Sequence, residues 1–470
     1  MVRCRPCPEP RRRWQASLVL GCAGLGVAPL AGADEPAAAP LAHVEEPTAA
    51  PLAERVRQLE AETRRLGAQL TAGPARGRSG ETGLDVRLGG FVHADAALYR
   101  QESEDQLNEA TGEPLNETRF LIRRARLRIE AEYKYVGGAF EVDGNTVEGP
   151  IGRILGAEVS VKWPAGPVQT PYVKATLGLF RIPFGYEVLQ PDTQRLFLER
   201  SSIIRALFPG EYDLGVRLHG GWRFLRYAVA AMNGQPTGER AFAARDPNQS
   251  KDLIGRLAVA VAVAAPLHLA AGVSALYGSG LHAGTPATKD VLTWRDDNGD
   301  GQVQLSELQA LRGAAATPSQ NFTRSAVGVD AQVALRVPRL GELQLYGEVV
   351  WATNLDRALL PADPVATGRE LRELGYYLGF TQELSSYVCI GMRYDHYQPD
   401  ADASAQLGVQ RVPVDSAFST LAVAAAVQQR GLGRLTLEYA HNRNALGRSP
   451  FGLPTTLGRD AVLARAQVVF

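Results

Sequence analysis

The sequence contains few of the residues on which several classes of protein depend. It has four cysteines among 470 residues, and Cys4, Cys7 and Cys22 lie close to the N-terminus. Because Cys389 is alone in the rest of the chain, a disulfide or a cysteine-built metal site is excluded there. The 50 basic residues include five lysines and are balanced by 50 acidic residues, which argues against a nucleic-acid-binding protein.

The sequence also has none of the short motifs that mark common catalytic sites. It contains no Gly-x-Ser-x-Gly nucleophile elbow, no His-Glu-x-x-His zinc motif and no glycine-rich phosphate loop. His219, His268, His396 and His441 are scattered over different predicted strands, so spacing selects no serine–histidine pair. We therefore predict that the protein is not an enzyme.

Beyond the N-terminus, no apolar run is both long and uninterrupted. The longest candidate, Leu257–Tyr277, contains Pro266 near its centre, and before the proline leucine and valine alternate with alanine. Two strands joined by an Ala-Ala-Pro turn explain this pattern better than one helix. Since lipid provides no water for unpaired backbone groups, only helices and closed barrels cross a bilayer.

Four short segments precede the region of alternating residues. Residues 1–33 combine an arginine-rich start, an apolar stretch and a small-residue cleavage site, which is typical of a secretory signal peptide. Residues 34–51 are rich in alanine, glutamate and proline and predict a flexible lead. Residues 52–71 have apolar side chains at heptad spacing, which predicts a periplasmic coiled coil, with a solvated single helix as the alternative. Residues 72–83 are a linker rich in glycine.

From Leu84 onward the hydrophobic period changes to two, which is the period of a β-strand. In Leu84–Tyr99 and Leu121–Tyr135, apolar residues on one face alternate with charged residues on the other. We predict sixteen strands, near residues 84–99, 119–135, 138–146, 153–163, 171–181, 213–222, 225–233, 252–264, 267–278, 322–337, 343–354, 370–384, 387–398, 415–428, 433–444 and 459–470.

Three features favour a membrane barrel over a soluble sandwich. The apolar faces recur strand after strand, while the opposite faces carry charges in mid-strand. Tight connections alternate with long ones, as in barrels with short periplasmic turns. The last alternating strand ends on Phe470, which resembles the terminal signal for barrel insertion. The predicted fold class is therefore all-β: a 16-stranded antiparallel transmembrane β-barrel over residues 84–470, preceded by the coiled-coil helix, in the cell outer membrane of a Gram-negative bacterium.

Several stretches resemble the phosphate-selective porins O and P. The matching segments follow one another in the order expected for that family: Ile122–Leu127, Leu177–Gly185, Leu198–Ser201, Asp213–Gly220 and Tyr227–Gly234. They concentrate in residues 84–260, and the remainder fits by strand pattern alone. The resemblance implies a trimeric channel for anions, with arginine and lysine side chains lining the lumen.

Alternation places a set of cationic residues on the predicted lumen face. We assign to the pore lining Arg124, Arg126, Arg128, Lys134, Lys174, Arg217, Arg256 and Arg324, with Arg87, Arg336, Arg393 and Arg465 on the same face. Rings of such charge attract anions and set selectivity. The same wall carries Asp95, Glu130, Glu132, Asp330, Asp395 and Glu438. A wall ion pair is therefore the alternative role for any single arginine.

A long connection, Tyr186–Tyr212, mixes arginines with phenylalanine and isoleucine. In porins a loop at this place folds inward and narrows the channel, and its apolar residues would hold it against the wall. Arg200 and Arg205 are the predicted constriction residues on this basis. The alternative is a loop that projects outward from the extracellular end.

The predicted extracellular loop 279–321 contains a twelve-residue segment with the spacing of a calcium-binding loop. Within Asp296–Glu307, oxygen donors stand at positions 1, 3, 5 and 9, a carbonyl at 7, a glycine at 6 and a glutamate at 12. The sequence thus predicts calcium as a cofactor, bound by Asp296, Asn298, Asp300, Gln302, Gln304 and Glu307. The alternative is an acidic loop that only resembles this motif.

These patterns predict an outer-membrane porin for passive diffusion of small inorganic anions, with phosphate and polyphosphate as candidates. Its predicted partners are outer-membrane lipid and further copies of the chain in a homotrimer, without nucleic acid. The main alternative is a structural envelope barrel, plugged by its loops and tethered by the coiled coil, with a calcium-ordered surface loop. A barrel hydrolase is the third possibility, and it requires turnover by a serine or histidine in the lumen.

Overall fold

The computed structural model describes the greater part of the alternating region. The described residues are 76–78, 83–100, 117–147, 149–164, 170–237, 246–264, 266–407, 410–414, 416–429, 431–443, 447–448, 454–455 and 459–470. The predicted signal peptide, flexible lead and coiled coil lie outside these residues, as does most of the predicted linker.

Besides one short strand in the predicted linker, Arg76–Arg78, which pairs with Asp85–Arg87, sixteen long strands form one antiparallel sheet. They are β1 (Leu84–Tyr99), β2 (Arg119–Tyr133), β3 (Val136–Asn145), β4 (Ile151–Trp163), β5 (Val173–Arg181), β6 (Tyr212–Trp222), β7 (Leu225–Met232), β8 (Asp252–Ala264), β9 (Leu267–His282), β10 (Gln320–Arg336), β11 (Glu342–Thr353), β12 (Arg372–Glu383), β13 (Val388–Gln398), β14 (Phe418–Gln429), β15 (Gly433–Arg443) and β16 (Arg459–Val469). The predicted number and order of strands are confirmed.

The sheet closes on itself because the last strand pairs with the first. Each strand is hydrogen-bonded to its neighbours in sequence, and β16 pairs with β1 from Phe91↔Val469 to Tyr99↔Ala461. Two backbone hydrogen bonds extend this seam, from Gly90 N–H to the Phe470 carbonyl (2.8 Å) and from Phe470 N–H to the Gly90 carbonyl (3.0 Å). Closure leaves no barrel strand with an unpaired edge, which lipid would not tolerate.

The outer surface of the barrel is apolar. On β8 the residues Leu257, Val259, Val261 and Val263 are all exposed, and they alternate with small alanines. This strand and β9 meet at a turn that contains Pro266, so Leu257–Tyr277 is two strands, as predicted. Among the described residues, no helix is long and apolar enough to span a membrane.

A β-bulge on β2 interrupts the simple alternation. In the pairing of β1 with β2, His93 lies opposite Arg124 but Ala94 lies opposite Ile122, so Arg123 is the extra residue. A bulge reverses the faces of the residues beyond it. Leu121, which alternation alone places with the outward apolar residues, is consequently buried.

Several of the loops between barrel strands contain short hairpins or helices. The loop between β9 and β10 contains a two-stranded hairpin, Val291–Trp294 with Leu308–Leu311, and a 3-10 turn at Leu305–Glu307. The connection between β5 and β6 contains the helix α1 (Ser202–Leu207), and the connection between β11 and β12 contains α2 (Pro364–Thr367). Smaller hairpins pair Ser404–Leu407 with Gln410–Pro413 and Gly447–Arg448 with Pro454–Thr455.

Candidate channel lumen and constriction

The connection between β5 and β6, residues 182–211, lies inside the barrel and is called the lumen loop here. Its backbone N–H groups donate to side chains on strands β9–β15, which are called the far wall here. Leu198 donates to Glu438 on β15 at 2.7 Å, and Ser202 donates to Asp395 on β13 at 3.1 Å. Gly185 N–H donates to the Ser274 hydroxyl on β9 at 3.0 Å. These wall side chains lie in mid-strand, so the predicted inward fold of the loop is confirmed.

Apolar packing holds the same loop against the wall. Within α1, Ile203, Ile204 and Leu207 are completely buried, and the helix contacts β12, β13 and β14. Gly375 on β12 makes this approach possible, because a Cβ there would lie 2.6 Å from Ile203 Cβ. The largest cluster of buried apolar residues in the described chain is thus formed by the lumen loop and the far wall.

Five arginines converge on one carboxylate of the lumen loop, Asp192. Its Oδ2 lies 2.5 Å from Nη1 of Arg126 on β2 and 3.3 Å from Nη2 of Arg181 on β5. Its Oδ1 lies 3.3 Å from Arg200 Nη2 and 3.8 Å from Arg124 Nε, and Arg195 pairs with the same oxygen. We call these five arginines and Asp192 the arginine cluster.

The arginine cluster keeps its carboxylates ionised. Burial alone would raise the pKa of Asp192, but Arg126, Arg124, Arg195 and Arg200 outweigh burial and hold that pKa well below its ordinary value. Burial likewise opposes ionisation of Glu211, yet Arg200, 2.7 Å away, and Arg181 lower its pKa to about 2. Arg195 shows the opposite effect, since burial and the neighbouring Arg200 lower its pKa to about 9. At neutral pH Asp192, Glu211 and Arg195 are therefore all ionised.

The two predicted constriction residues lie in different environments. Arg200 is buried and shared between Glu211 and Asp192, so it is a member of an ion-pair network. Arg205 is exposed, although its neighbours in α1 are buried. Of the pair, Arg205 is therefore the one that a passing solute can contact directly.

The predicted pore residues on β2 differ in exposure. Arg124 and Arg126 are buried in the arginine cluster, and Arg126 also lies 3.3 Å from Asp143. Arg128 keeps 36% of its side-chain surface while it pairs with Glu130 at 2.7 Å and Glu141 at 2.8 Å. The wall is thus a mixed array of cations and carboxylates, as the sequence indicates.

The other predicted cations occupy several levels of the barrel. Arg256 binds Asp330 through two hydrogen bonds of 2.5 and 3.0 Å, and Arg324 binds Asp252 at 2.9 Å. Arg217 lies 3.6 Å from Glu158 and stacks over the ring of Phe180 at 4.4 Å. Lys174, half-buried on β5, lies opposite His219 on β6.

Lys134 differs from its predicted position. It lies in the turn between β2 and β3 with a positive φ of 50°, is exposed, and places its ammonium group over the ring of Tyr133 at 5.1 Å. The strand ends at Tyr133, two residues earlier than the predicted end at residue 135, so Lys134 belongs to the rim and not to the wall.

Several lumen residues were not identified from the sequence. Arg123 pairs with Glu199 at 2.8 Å, because the bulge turns both Arg123 and Arg124 into the lumen. Asp192 and Arg181 were missed because their importance arises only when the loop meets the wall. Arg393, which the sequence does place on the lumen face, binds Glu187 at 3.1 Å, a partner that no local pattern indicates.

The predicted calcium loop forms a compact turn at the tip of the β9–β10 hairpin. The Asp296 carboxylate accepts N–H groups of Gly299 at 2.6 Å and Gly301 at 2.8 Å, and these bonds, that from Gly301 foremost, lower the Asp296 pKa. Both glycines have positive φ, 75° and 68°, which the sharp turn requires. At position 12, Glu307 is buried and accepts the indole N–H of Trp294 at 3.0 Å. The described residues hold no group of three or more His, Cys, Asp or Glu side chains arranged for a metal.

Comparison with known proteins identifies the fold. No protein-family model and no curated protein matches the sequence. The outer membrane channel DcaP of Acinetobacter baumannii is 14% identical with a TM-score of 0.51, and the match covers 84% of this chain and 100% of that one. OprB of Pseudomonas putida (11% identity, TM-score 0.47) matches over 83% and 95% of the two chains. An anion-selective porin from Comamonas acidovorans (10% identity, TM-score 0.46) matches over 82% of this chain and 100% of that one. The likeness to the first of these shows a shared fold.

The location predicted from the sequence agrees with this fold. A closed 16-stranded barrel with an apolar outer surface is the architecture of outer-membrane channels of Gram-negative bacteria, so the chain is an outer-membrane barrel.

Proposed function

We propose that the protein is a diffusion channel for small inorganic anions, constricted by the lumen loop. The observation that carries this proposal is the unequal shielding of opposite charges around the loop. Glu348, Asp395 and Glu438 on the far wall are at most 2% exposed because they accept backbone N–H groups of the loop. Arg205 and Arg128 keep their contact with lumen water.

Exposed cations in a narrow polar passage attract anions and repel cations. The carboxylates of Glu130 and Glu132 remain partly exposed beside Arg87, so we expect a modest preference for anions. Phosphate and polyphosphate are the candidate solutes, because guanidinium groups form paired hydrogen bonds with oxyanions.

The reversal potential in a planar bilayer under a potassium chloride gradient tests this proposal. A sign that corresponds to chloride permeation, with current reduced by added phosphate, is the expected result. Arg205→Gln should shift the potential toward cation permeation, whereas Lys134→Gln, which removes the same charge from the rim, serves as the matched control. Cation preference in the unmodified protein would refute the proposal.

A plugged structural barrel is the second candidate, and the buried apolar face of the lumen loop favours it. Ile203, Ile204, Leu207 and Phe208 are at most 1% exposed, so much of the lumen beside the far wall is filled. A correctly folded barrel that carries no current in the same bilayer experiment would support this candidate.

We also propose that the channel is a homotrimer in outer-membrane lipid. The support is the resemblance of residues 84–260 to a trimeric porin family. The mass of the detergent-solubilised protein, measured by light scattering with the detergent contribution subtracted, should equal three chains, and a monomeric mass would refute this assignment.

We propose in addition that the loop Asp296–Glu307 binds calcium and thereby orders the extracellular hairpin. Its support is the match of donor spacing together with the left-handed Gly301 at position 6, where calcium loops place a glycine for their sharp turn. Calorimetric titration should detect one calcium ion per chain, with affinity in the millimolar class of extracellular modules. Asp296→Ala should abolish that heat, and the nearby Asp290→Ala should retain it. Equal heats from all three proteins would contradict the assignment.

A further inference from the structure

The loop between β11 and β12, residues 354–371, also packs inside the barrel and is called the strap here. Its Leu355 side chain is completely buried in the same apolar cluster as α1. The backbone N–H groups of Leu355 and Asp356 donate to the Glu373 carboxylate on β12 at 2.8 and 2.9 Å. Because Glu373 is itself buried, the start of the strap is fixed to the wall from inside the barrel.

Hydrogen bonds to one carboxylate fix the shape of the strap. Asp356 accepts the backbone N–H groups of residues 358–360 at 2.9–3.1 Å. The Tyr397 hydroxyl on β13 donates to the same carboxylate at 2.7 Å. A side chain that accepts several nearby backbone N–H groups favours one loop conformation. Arg357, which follows Asp356, is consequently presented in a fixed direction.

Arg357 joins the strap to two other parts of the lumen. Its backbone N–H donates at 3.0 Å to the carbonyl of Ala206, in the last turn of α1, where a helix leaves its carbonyls without internal partners. Its guanidinium group reaches β8, where Nη2 lies 3.1 Å from Asp252 Oδ2. Asp252 is 2% exposed and also binds Arg324 on β10. A single residue thus ties the strap both to the end of α1 and to a wall strand that is not its neighbour.

The position of Arg205 depends on this connection. Arg205 directly precedes Ala206 in α1, and it is exposed although Ile204 and Ala206 on either side of it are buried. The helix has six residues, too few for its own hydrogen bonds to keep it formed. Its last turn is held by apolar packing against the far wall and by the Arg357 N–H group at its end.

We propose that Arg357 is a positioning residue for ion selectivity: it fixes the end of α1 so that Arg205 stays in the path of a permeating anion. This inference rests on the proposed anion channel and deepens it. When Arg357 loses its contact with Asp252, the strap is free to move away from α1, and Arg205 is no longer held at one place in the lumen. Arg357 keeps 15% of its side-chain surface and acts through Arg205, not by contact with the solute.

A double-mutant cycle on the reversal potential tests this inference. Arg357→Gln alone should shift the potential in a potassium chloride gradient toward cation permeation, in the same direction as Arg205→Gln. In the double variant R205Q/R357Q, the second substitution should add no further shift, because the group on which Arg357 acts is gone. Arg357→Lys keeps the charge and a donor for Asp252, and should restore most of the anion preference. Shifts that add in the double variant would overturn the inference.

Arg372→Gln is the matched control. Arg372 is the first residue of β12, keeps 68% of its side-chain surface and lies 3.5 Å from Asp402. Its substitution removes the same charge at the other end of the strap, so the reversal potential should not change. A shift in R372Q equal to that in R357Q would show that the potential responds to any cation near the mouth, and would overturn the role of Arg357.

The exposed part of the strap provides a test that does not depend on the folding of R357Q. There the Asp363 carboxylate caps α2 and lies 2.6 Å from Nδ1 of His282, the last residue of β9. Asp363→Asn should loosen the strap and shift the potential toward cation permeation, although the loss of a negative charge alone favours anions. Arg205→Gln should abolish this shift as well. An unchanged potential in D363N, or a shift toward anion permeation, would overturn the inference.

The proposed function and this inference fail through different results. A cation-selective reversal potential in the unmodified protein refutes the anion channel. The coupling between Arg205 and Arg357 is measured as a difference between variants, so it is obtained whichever ion the unmodified channel prefers.

Discussion

Glu348 on β11 is the side chain whose removal should release the start of the lumen loop. Its Oε2 accepts N–H groups of Tyr186 at 3.2 Å and Glu187 at 3.3 Å, and the Tyr377 hydroxyl at 2.9 Å. Gly185, with φ of 61°, packs against the same carboxylate, and a Cβ at that position would overlap it. We therefore expect Glu348→Ala to detach this segment more readily than a change at any exposed wall residue.

The three hydrogen bonds determine the size of the effect. A buried donor that is left without an acceptor costs about 1–3 kcal/mol, and two backbone N–H groups would lose their acceptor. We therefore expect a net cost of about 3 kcal/mol. At 1.4 kcal/mol per factor of ten, the population with a detached loop should rise roughly a hundredfold.

Single-channel recording measures this population directly. In Glu348→Ala, brief high-conductance openings should become about a hundred times more frequent than in the unmodified channel. Glu348→Gln is the matched control, because it keeps an acceptor oxygen near the Tyr186 and Glu187 N–H groups and should have a much smaller effect. If the openings of the alanine variant were as rare as those of the unmodified channel, Glu348 would not anchor the loop.

Two further predictions concern the outer face and acid. Val261→Arg, on the exposed face of β8, should lower the free energy of unfolding of the barrel in lipid vesicles by about 2–4 kcal/mol, as measured by urea unfolding. Gln332→Arg, on the lumen side, should lower it far less. Equal losses in the two variants would mean that the faces are misassigned. Glu211 has a lowered pKa, so its contribution to stability is present above about pH 4.5 and is lost as pH falls toward 2. The unfolding temperature should decrease over that range, and Glu211→Gln should flatten the decrease; an unchanged slope in the variant would contradict this.

Strand positions were predictable because lipid and lumen impose opposite polarities on alternate residues. The bounds of β1, Leu84–Tyr99, and of β8, Asp252–Ala264, agree with the sequence prediction at both ends. Turn residues follow no such alternation, because they face neither the lipid nor the lumen. Lys134 was therefore placed on the wall although the strand stops at Tyr133.

The lumen could be predicted only as a set of residue types. Alternation locates Arg124, Arg126 and Arg128 on one face, but it contains no information about which carboxylate each arginine meets. Those partners come from the lumen loop and from strands far away in sequence, as with Arg126 and Asp192, which are 66 residues apart. The bulge at Arg123 adds a further lumen cation that a strict period of two assigns to the wrong face.

The seam between β1 and β16 implies that the barrel closes late in assembly, because it joins the first and last strands of the chain. Across it, His93 Nε2 lies 3.0 Å from Gln467 Oε1, over a sequence separation of 374 residues. Until those two ends meet, the sheet has two open edges whose backbone groups need a temporary partner, and loop closure over such a distance is slow. A side chain at Gly90, whose Cβ would lie 2.5 Å from the Arg126 carbonyl oxygen and 2.7 Å from the ring of Phe470, should therefore delay maturation of the barrel.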